Sequence, residues 1–387
     1  MTNQGGTGGG VGGAFGAGTI FTYNLSTGQE NVAYSFQNTP DGARPSASLL
    51  LSGSNLVGIT GTGGNGGMTG YVGLGTIFSF NPATSTESVL WNFRTSTRDS
   101  AFPVGLIQSA ANPDFYYGAG DEGGNLYTNG APGTVFAYSA ATNSMSILHN
   151  FGATGDGQYP GAAPVQSGSM LYGTTTQGGI IAPGPFNEGL GTIYSLNLNT
   201  NKETVLHEFA GGPADGSYPD SPLNILGESL YGITASGDSK GDGAIFSYNL
   251  ITNVYTVIHN FSQSGIYQPS YGAMVQSGNV LYGTAFNDGT FNDGSIFSID
   301  TTTNTYTTLF SFDGADGQFP DTNLYLNGST LYGGTLLGGS ANQGVLFSLT
   351  IPEPSSWALM AMSIAFLSGR HRDRLEAFSS PQTANKT

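Results

Sequence analysis

A short apolar run opening on glycine recurs along the chain: Gly18-Thr19-Ile20-Phe21, Gly75-Thr76-Ile77-Phe78, Gly133-Thr134-Val135-Phe136, Gly191-Thr192-Ile193-Tyr194, Gly243-Ala244-Ile245-Phe246, Gly294-Ser295-Ile296-Phe297 and Gly344-Val345-Leu346-Phe347. The steps between these glycines are 57, 58, 58, 52, 51 and 50 residues. Nine residues after each of the first six comes a turn pair such as Thr142-Asn143 or Thr200-Asn201, and eighteen residues after each comes Phe36, Phe93, Phe151, Phe209, Phe261 or Phe312. Offsets that never vary predict a β-hairpin of fixed register, because a slip of one residue would turn every side chain to the other face. An Asp-containing turn, a proline (Pro45, Pro103, Pro160, Pro219, Pro269, Pro320) and a second apolar run follow, and the unit closes on Leu-Tyr-Gly, as at Leu171-Tyr172-Gly173. Each unit therefore predicts four strands: A after the proline, B ending at Leu-Tyr-Gly, C opening on the glycine, and D ending at the second Phe. No 3.6-residue apolar period is present before residue 350, so no helix is expected there.

Four strands in 50 to 58 residues predict an all-β, kelch-like β-propeller of six or seven four-stranded blades. The chain holds a first C–D pair, five complete sets and a last A–B–C. Thr2-Asn3-Gln4-Gly5-Gly6 reads like Thr175-Thr176-Gln177-Gly178-Gly179. Residues 1–17 are accordingly expected to be a truncated, Gly-rich start in mid-blade, and 18–349 the repeat region.

Composition narrows the chemistry. The 387 residues include 62 Gly, 23 Phe, 20 Tyr and no Cys. That aromatic content argues against disorder, and the absence of cysteine excludes disulfide scaffolds and thiolate zinc sites. A formal net charge of −16 argues against nucleic acid as a partner. From the strand-B glycine to the next strand-C glycine the separations are 17, 15, 18, 11, 11 and 11 residues, so length variation is concentrated in the B-to-C loops. In a four-strand meander those loops share a face with the D-to-A turns, which marks it as the expected binding face. Tyr71, Tyr127 and Phe186 are its candidates for stacking on sugar rings.

Candidate catalytic groups are sparse. His149, His207 and His259 occupy the strand-D position that carries Tyr34, Trp91 and Phe310 in other units, which reads as aromatic packing. Gly237-Asp238-Ser239-Lys240-Gly241 has the form of a hydrolase elbow without the helix that must follow it. Asp41, Asp99, Asp156, Asp215 and Asp316 each precede the strand-A proline by four residues, with Gly265 breaking the series. Asp-Gly turns account for them, and Ca²⁺ on repeated carboxylates is the functional alternative. Asp288 and Asp293, each in an Asn-Asp-Gly turn, come nearest a calcium loop. Asp121-Glu122 and Glu188 are the acids at non-repeating positions.

The units, with their Leu-Tyr-Gly, Gly-Thr-Ile-Phe and Val-Leu-His-Glu-Phe elements, resemble the GloVer tandem repeats of choice-of-anchor bacterial surface proteins, over residues 18–349. The resemblance implies architecture and location and no established activity. Residues 350–374 resemble a PEP-CTERM sorting signal: Pro352-Glu353-Pro354, an apolar stretch from Trp357 to Leu367, then Arg370, Arg372 and Arg374, with a polar tail over 375–387. That resemblance implies an exosortase-like processing enzyme as partner and a transient C-terminal helix in the inner membrane. It also implies export, although residues 1–17 hold no signal peptide. Ser355–Gly369 is fifteen residues, short of the ~20 that span a bilayer. The expectation is an exported, monomeric, cell-surface or matrix-associated propeller. It would bind extracellular polysaccharide without enzymatic activity or cofactor, Ca²⁺ aside. The alternative is a propeller glycan hydrolase or lyase using loop carboxylates.

Overall fold

The computed structural model describes residues 1–2, 4–6, 16–65, 73–93, 99–124, 132–179, 189–236, 243–261 and 272–351. All regular structure in them is β. A two-stranded ribbon, β1 (Thr19–Asn24) and β2 (Gln29–Ser35), comes first. The first blade is β3 (Ala43–Ser52), β4 (Asn55–Thr62), β5 (Thr76–Asn81) and β6 (Thr86–Asn92). The second is β7 (Ser100–Gln108), β8 (Phe115–Gly123), β9 (Thr134–Ser139) and β10 (Ser144–Asn150). The third is β11 (Gly157–Pro160), β12 (Val165–Ser167), β13 (Met170–Gly178), β14 (Thr192–Asn197) and β15 (Lys202–Glu208). The fourth is β16 (Ser217–Pro219), β17 (Asn224–Leu226), β18 (Ser229–Ser236), β19 (Ala244–Asn249) and β20 (Tyr255–Asn260). The fifth is β21 (Val275–Ser277), β22 (Val280–Ala285), β23 (Ser295–Asp300) and β24 (Thr305–Ser311). The sixth is β25 (Gln318–Pro320), β26 (Tyr325–Asn327), β27 (Thr330–Leu337) and β28 (Leu346–Thr350), with no strand D among the described residues.

The architecture is a six-bladed β-propeller of mostly four-stranded sheets. Of the two blade numbers expected, six sheets are complete enough to be blades, and β1–β2 remains a ribbon. Nothing in the sheets is specific to kelch repeats. Where one strand A was expected, the third, fourth and sixth blades have two short pieces, β11 with β12, β16 with β17 and β25 with β26, the first piece ending at Pro160, Pro219 or Pro320. Pro160 and Pro164, and Pro219 and Pro222, lack the N–H a continuous ladder needs.

Backbone contacts divide the chain into two units, Met1–Thr234 with Ser247–Thr256, and Ala235–Phe246 with Val257–Thr387. In the first, cores form around Ile77, Phe93 and Phe136, and around Phe151, Leu171 and Tyr194. In the second, the core gathers Tyr282, Ile296, Phe312, Leu331 and Phe347. Strand C has both edges paired, by B and D, and its faces packed against neighbouring blades, as Phe136 and Tyr138 pack with Phe93; every residue of β9 is buried. This explains its uninterrupted apolar reading.

Two recurrent glycines are steric necessities. At Gly133 and Gly191, which open strand C, φ is +97° and +102°, and an added Cβ would lie 2.4 and 2.7 Å from Cδ of Pro160 and Pro219 in the following blade. Beside this contact, the N–H of the residue before each proline donates to the preceding blade, Tyr159 to the Pro132 carbonyl at 2.6 Å and Tyr218 to that of Leu190 at 2.8 Å. The strand-B glycine makes room for an aromatic ring on strand C. A Cβ at Gly118 would meet Phe136 Cζ at 2.3 Å, and one at Gly173 the Tyr194 hydroxyl at 2.4 Å.

The expectation of a chain held in the membrane by a C-terminal helix is corrected. Among the described residues no helix is long and apolar enough to cross a membrane. Pro352, Glu353, Pro354, Arg370, Arg372 and Arg374 lie outside the described residues, as do Tyr71, Tyr127, Phe186, Glu188, Gly265, Pro269 and the Gly237–Gly241 motif.

Candidate metal centre

The hairpin of strands C and D is in register but not regular. In β14–β15, Ile193 faces His207 while Tyr194 faces Val205, leaving Leu206 as an extra residue. The same bulge leaves Leu148 unpaired in β9–β10, Ala33 in β1–β2 and Leu90 in β5–β6. A bulge re-aims the side chain beside it. The residue after it is Tyr34, Trp91, His149 or His207, and each reaches the aspartate of the next D-to-A turn. The Tyr34 hydroxyl donates to Asp41 Oδ2 at 2.6 Å, and Trp91 Nε1 donates to Asp99 Oδ2 at 3.0 Å. His149 Nε2 lies 2.9 Å from Asp156 Oδ2, and His207 Nε2 lies 2.6 Å from Asp215 Oδ1. Four of the series read as turn formers or calcium ligands, Asp41, Asp99, Asp156 and Asp215, thus accept from strand-D rings, whereas Asp316 Oδ1 accepts from the Asp313 N–H. Asp41, Asp99 and Asp156 are buried.

A third residue comes from strand D of the following blade, twelve positions after its strand-C glycine. That position holds Glu87, Met145, Glu203, Tyr255 and Tyr306. Glu87 accepts a long bond from Tyr34, at 3.4 Å. Tyr255 stacks flat on His207 with centroids 4.2 Å apart, and Tyr306 stacks on His259 at 3.7 Å. Glu203 reaches His149 and Asp156. Ligand atoms of these three residues all lie within 4.8 Å of one another, and among the described residues this is the one such group of three. His149 and Glu203 are half-buried and Asp156 is buried. The Gly157 N–H holds Asp156 Oδ1 at 2.7 Å. Glu203 Oε1 is buried with no hydrogen-bond partner. Burial first, and then the charge of Asp156, push the Glu203 carboxyl up to about 7, with His149 opposing.

These residues fit a metal ion. Donors ~2.1 Å from one ion and at right angles lie about 3 Å apart, which matches the His149–Asp156 separation. The unpartnered Glu203 oxygen is a ready third donor. One imidazole with two carboxylates suits Mn²⁺, Zn²⁺ or Fe²⁺, whereas Ca²⁺ takes oxygen ligands. The expected calcium residues lie elsewhere. Asp288 Oδ2 accepts from Ser295 Oγ at 2.9 Å and Tyr306 at 2.8 Å, and Asp293 Oδ1 accepts from Gln318 Nε2. Asp121 is pushed up to about 6 by burial and by its neighbour Glu122.

Sequence reasoning identified the histidine slot but read all three members as packing. For His149 that is overturned by its two carboxylates. The missed residue, Glu203, was discoverable by aligning the repeats at the twelfth position.

No curated protein sequence matches the chain. Among solved structures it is similar to an oligogalacturonate lyase in complex with manganese, at 12% identity and a TM-score of 0.53, over 88% of this chain and 84% of the lyase. It is also similar to a prolyl endopeptidase at 12% identity and a TM-score of 0.49, over 79% of this chain and 41% of the other. Similarity to TolB from Acinetobacter baumannii stands at 13% identity and a TM-score of 0.43, over 76% of this chain and 59% of TolB. At these identities the likeness is one of fold. The His149–Asp156–Glu203 set corrects the expectation of a purely binding propeller, since one imidazole and two carboxylates are donors of the kind that hold a catalytic metal. Residues 5–186 and 183–347 both match the Gloeobacter/Verrucomicrobia repeat, and the chain belongs to that family.

Proposed function

We propose that the protein is a metal-dependent propeller enzyme of the glycan-lyase class, acting on an acidic oligosaccharide built of uronate units. The observation that carries the reading is the His149–Asp156–Glu203 cluster with its unpartnered carboxylate oxygen. The lyase of like fold, in complex with manganese, supports the choice of reaction and ion. His149, Asp156 and Glu203 would hold a divalent transition ion, which when bound supplies the positive charge that neutralises a uronate carboxylate and acidifies the adjacent C–H. Asp156, fixed by the Gly157 N–H, orients the His149 ring. Glu203, its carboxyl pushed up to about 7 by burial and by Asp156 in the metal-free chain, would give up its proton on metal binding and present Oε1 as the third ligand. The chain carries 9 Lys+Arg against 25 Asp+Glu, so the protein repels a polyanion. Attraction must come from the ion, and activity should be strictly metal-dependent.

The test is incubation of the full chain with oligogalacturonate and Mn²⁺, following the ultraviolet absorbance of the unsaturated product. Chelation should abolish product formation, and Glu203→Gln should lower it at least tenfold. Intact substrate in the presence of Mn²⁺ would sink the proposal. A specific observation favours a second reading, that of a joint between consecutive blades: Tyr34, Asp41 and Glu87 occupy the same three positions. A pure joint would change melting temperature on Glu203→Gln and be indifferent to chelators.

A further inference from the structure

One slot carries a strained backbone in each described unit: the residue before the strand-A proline. Arg44, Phe102, Tyr159, Tyr218 and Phe319 have φ of +55°, +48°, +55°, +55° and +58°. The left-handed region disfavours L-residues, bulky ones most. Glycine, present at 62 positions of the chain, would enter it freely, yet none stands in this slot. The conformation serves the joint to the unit before: the N–H of Arg44 donates to Ala17, that of Phe102 to Leu74 and that of Phe319 to Asp293, as described for Tyr159 and Tyr218. That joint uses only the backbone. Strain of this kind at a side chain gathers at ligand clamps and active sites.

The slot offers a ring face. In the sixth blade the chain itself covers it: Phe286, from the loop between β22 and β23, lies on Phe319 with centroids 4.8 Å apart and planes 12° from parallel. Among the described residues no ring stacks on Phe102 or Tyr218. Tyr218 is 39% exposed, Arg44 is exposed, and Phe102 and Tyr159 are half-buried. The strands that carry them adjoin. An added Cβ at Gly161, two residues past Tyr159, would lie 2.7 Å from Cα of Asp220, two residues past Tyr218. One at Gly105, three past Phe102, would lie 2.6 Å from Cβ of Ala163. Arg44 is on β3, which touches β7 and so the Phe102 strand. It is one of two Lys or Arg among the described residues and makes no ion pair with any of them. Tyr159 follows Asp156 by three residues, a chain length of at most about 11 Å, so the row passes beside the metal centre.

We propose that Arg44, Phe102, Tyr159 and Tyr218 form a substrate track for a uronate oligosaccharide, the rings stacking on sugar faces and Arg44 forking a carboxylate. This rests on the glycan-lyase reading above and deepens it by assigning residues that grip the sugar chain. The apolar face of a pyranose can lie on these rings as Phe286 lies on Phe319, and a guanidinium matches a carboxylate with two parallel N–H bonds. The net charge of −16 repels a polyanion at long range. Arg44 acts at contact distance, inside the Debye length of about 8 Å at physiological salt.

The experiment measures initial rates of the full chain on oligogalacturonate with Mn²⁺, and calorimetric binding of the same oligomer with chelator at physiological salt. Tyr159→Gly and Tyr218→Gly relieve the left-handed strain, so each should keep or raise the melting temperature. Each should nevertheless raise KM and weaken binding roughly tenfold with kcat little changed. Tyr218→Asn, which also tolerates the left-handed region, repeats the comparison should Tyr218→Gly fail to fold. Arg44→Gln should weaken binding of oligogalacturonate and leave that of its carboxyl-reduced, neutral counterpart unchanged. Unaltered KM and binding in these variants, in a chain that forms unsaturated product, overturns the track and leaves the lyase standing. Binding that the variants lose, in a chain that forms no product, upholds the track and overturns the lyase. An unaltered chain that neither cleaves nor binds the oligomer overturns both.

Discussion

His149, His207 and His259 share one slot, yet each meets different company. His149 faces Asp156 and Glu203, His207 faces Asp215 under the Tyr255 ring, and His259 lies flat against Tyr306. Replacement by phenylalanine therefore separates their roles. His149→Phe and His207→Phe each strip a ring nitrogen from an aspartate, and each should cost roughly 1–3 kcal/mol of stability in thermal or urea melts. Only His149→Phe should also abolish Mn²⁺ binding. Loss of binding in His207→Phe would place the ion elsewhere. The histidine slot was legible in the sequence because it recurs at a fixed offset. Its chemistry was not, because the distinguishing neighbour, Glu203, lies 54 positions away on another strand.

At the scale of the element, the C–D hairpin shows how much register can conceal. Its ends are set by invariant spacing, but the extra residue inside it, Leu148 or Leu206, gives no local sign, being an ordinary apolar residue in an apolar run. That residue turns the next side chain toward the aspartate. Deleting Leu148 should restore a regular ladder and swing His149 away, eliminating Mn²⁺ binding with strand content preserved by circular dichroism. Binding that survives would show that the bulge does not position the site. Glycines supply a second element-level prediction. Gly191→Ala places Cβ 2.4 Å from the Thr175 carbonyl oxygen and 2.7 Å from Pro219, at φ +102°. It should destabilise by at least about 2–3 kcal/mol. Gly168→Ala, with φ +58° and nothing within 4 Å, should cost about 1 kcal/mol. Equal melting temperatures for the two variants would refute the steric account of the blade-to-blade glycine.

For the whole molecule, charge dictates an unusual pH profile. Burial holds Glu87, Glu203 and Asp220 up at about 7, and Asp316 and Asp121 up at about 6. Asp300, lowered by its hydrogen bond from Thr302, works the other way. An acid whose folded pKa exceeds its unfolded value holds more protons when folded. Its stabilising contribution is complete below pH ~4 and is lost as pH rises through 6 to 7. Self-repulsion from a net charge of −16 has the same sign. Without metal the protein should melt at a higher temperature at pH 5 than at pH 8. Saturating Mn²⁺ should narrow the gap by compensating Glu203 and Asp156. A metal-free melting temperature that climbs from pH 5 to pH 8 would contradict the buried-carboxylate picture.

What the sequence determined by itself is everything written in local spacing: four strands per unit, hairpin ends, the glycines and prolines at blade boundaries, and the family. These follow from sterics and hydrogen bonding between neighbours along the chain, repeated often enough to be read without coordinates. What only the tertiary structure decided is which side chains from consecutive blades meet. A tyrosine, tryptophan or histidine in strand D is equivalent as far as one repeat is concerned. It becomes a candidate ligand only when the next blade brings Glu203 rather than Met145 or Tyr255 against it, and no rule of local spacing carries that pairing.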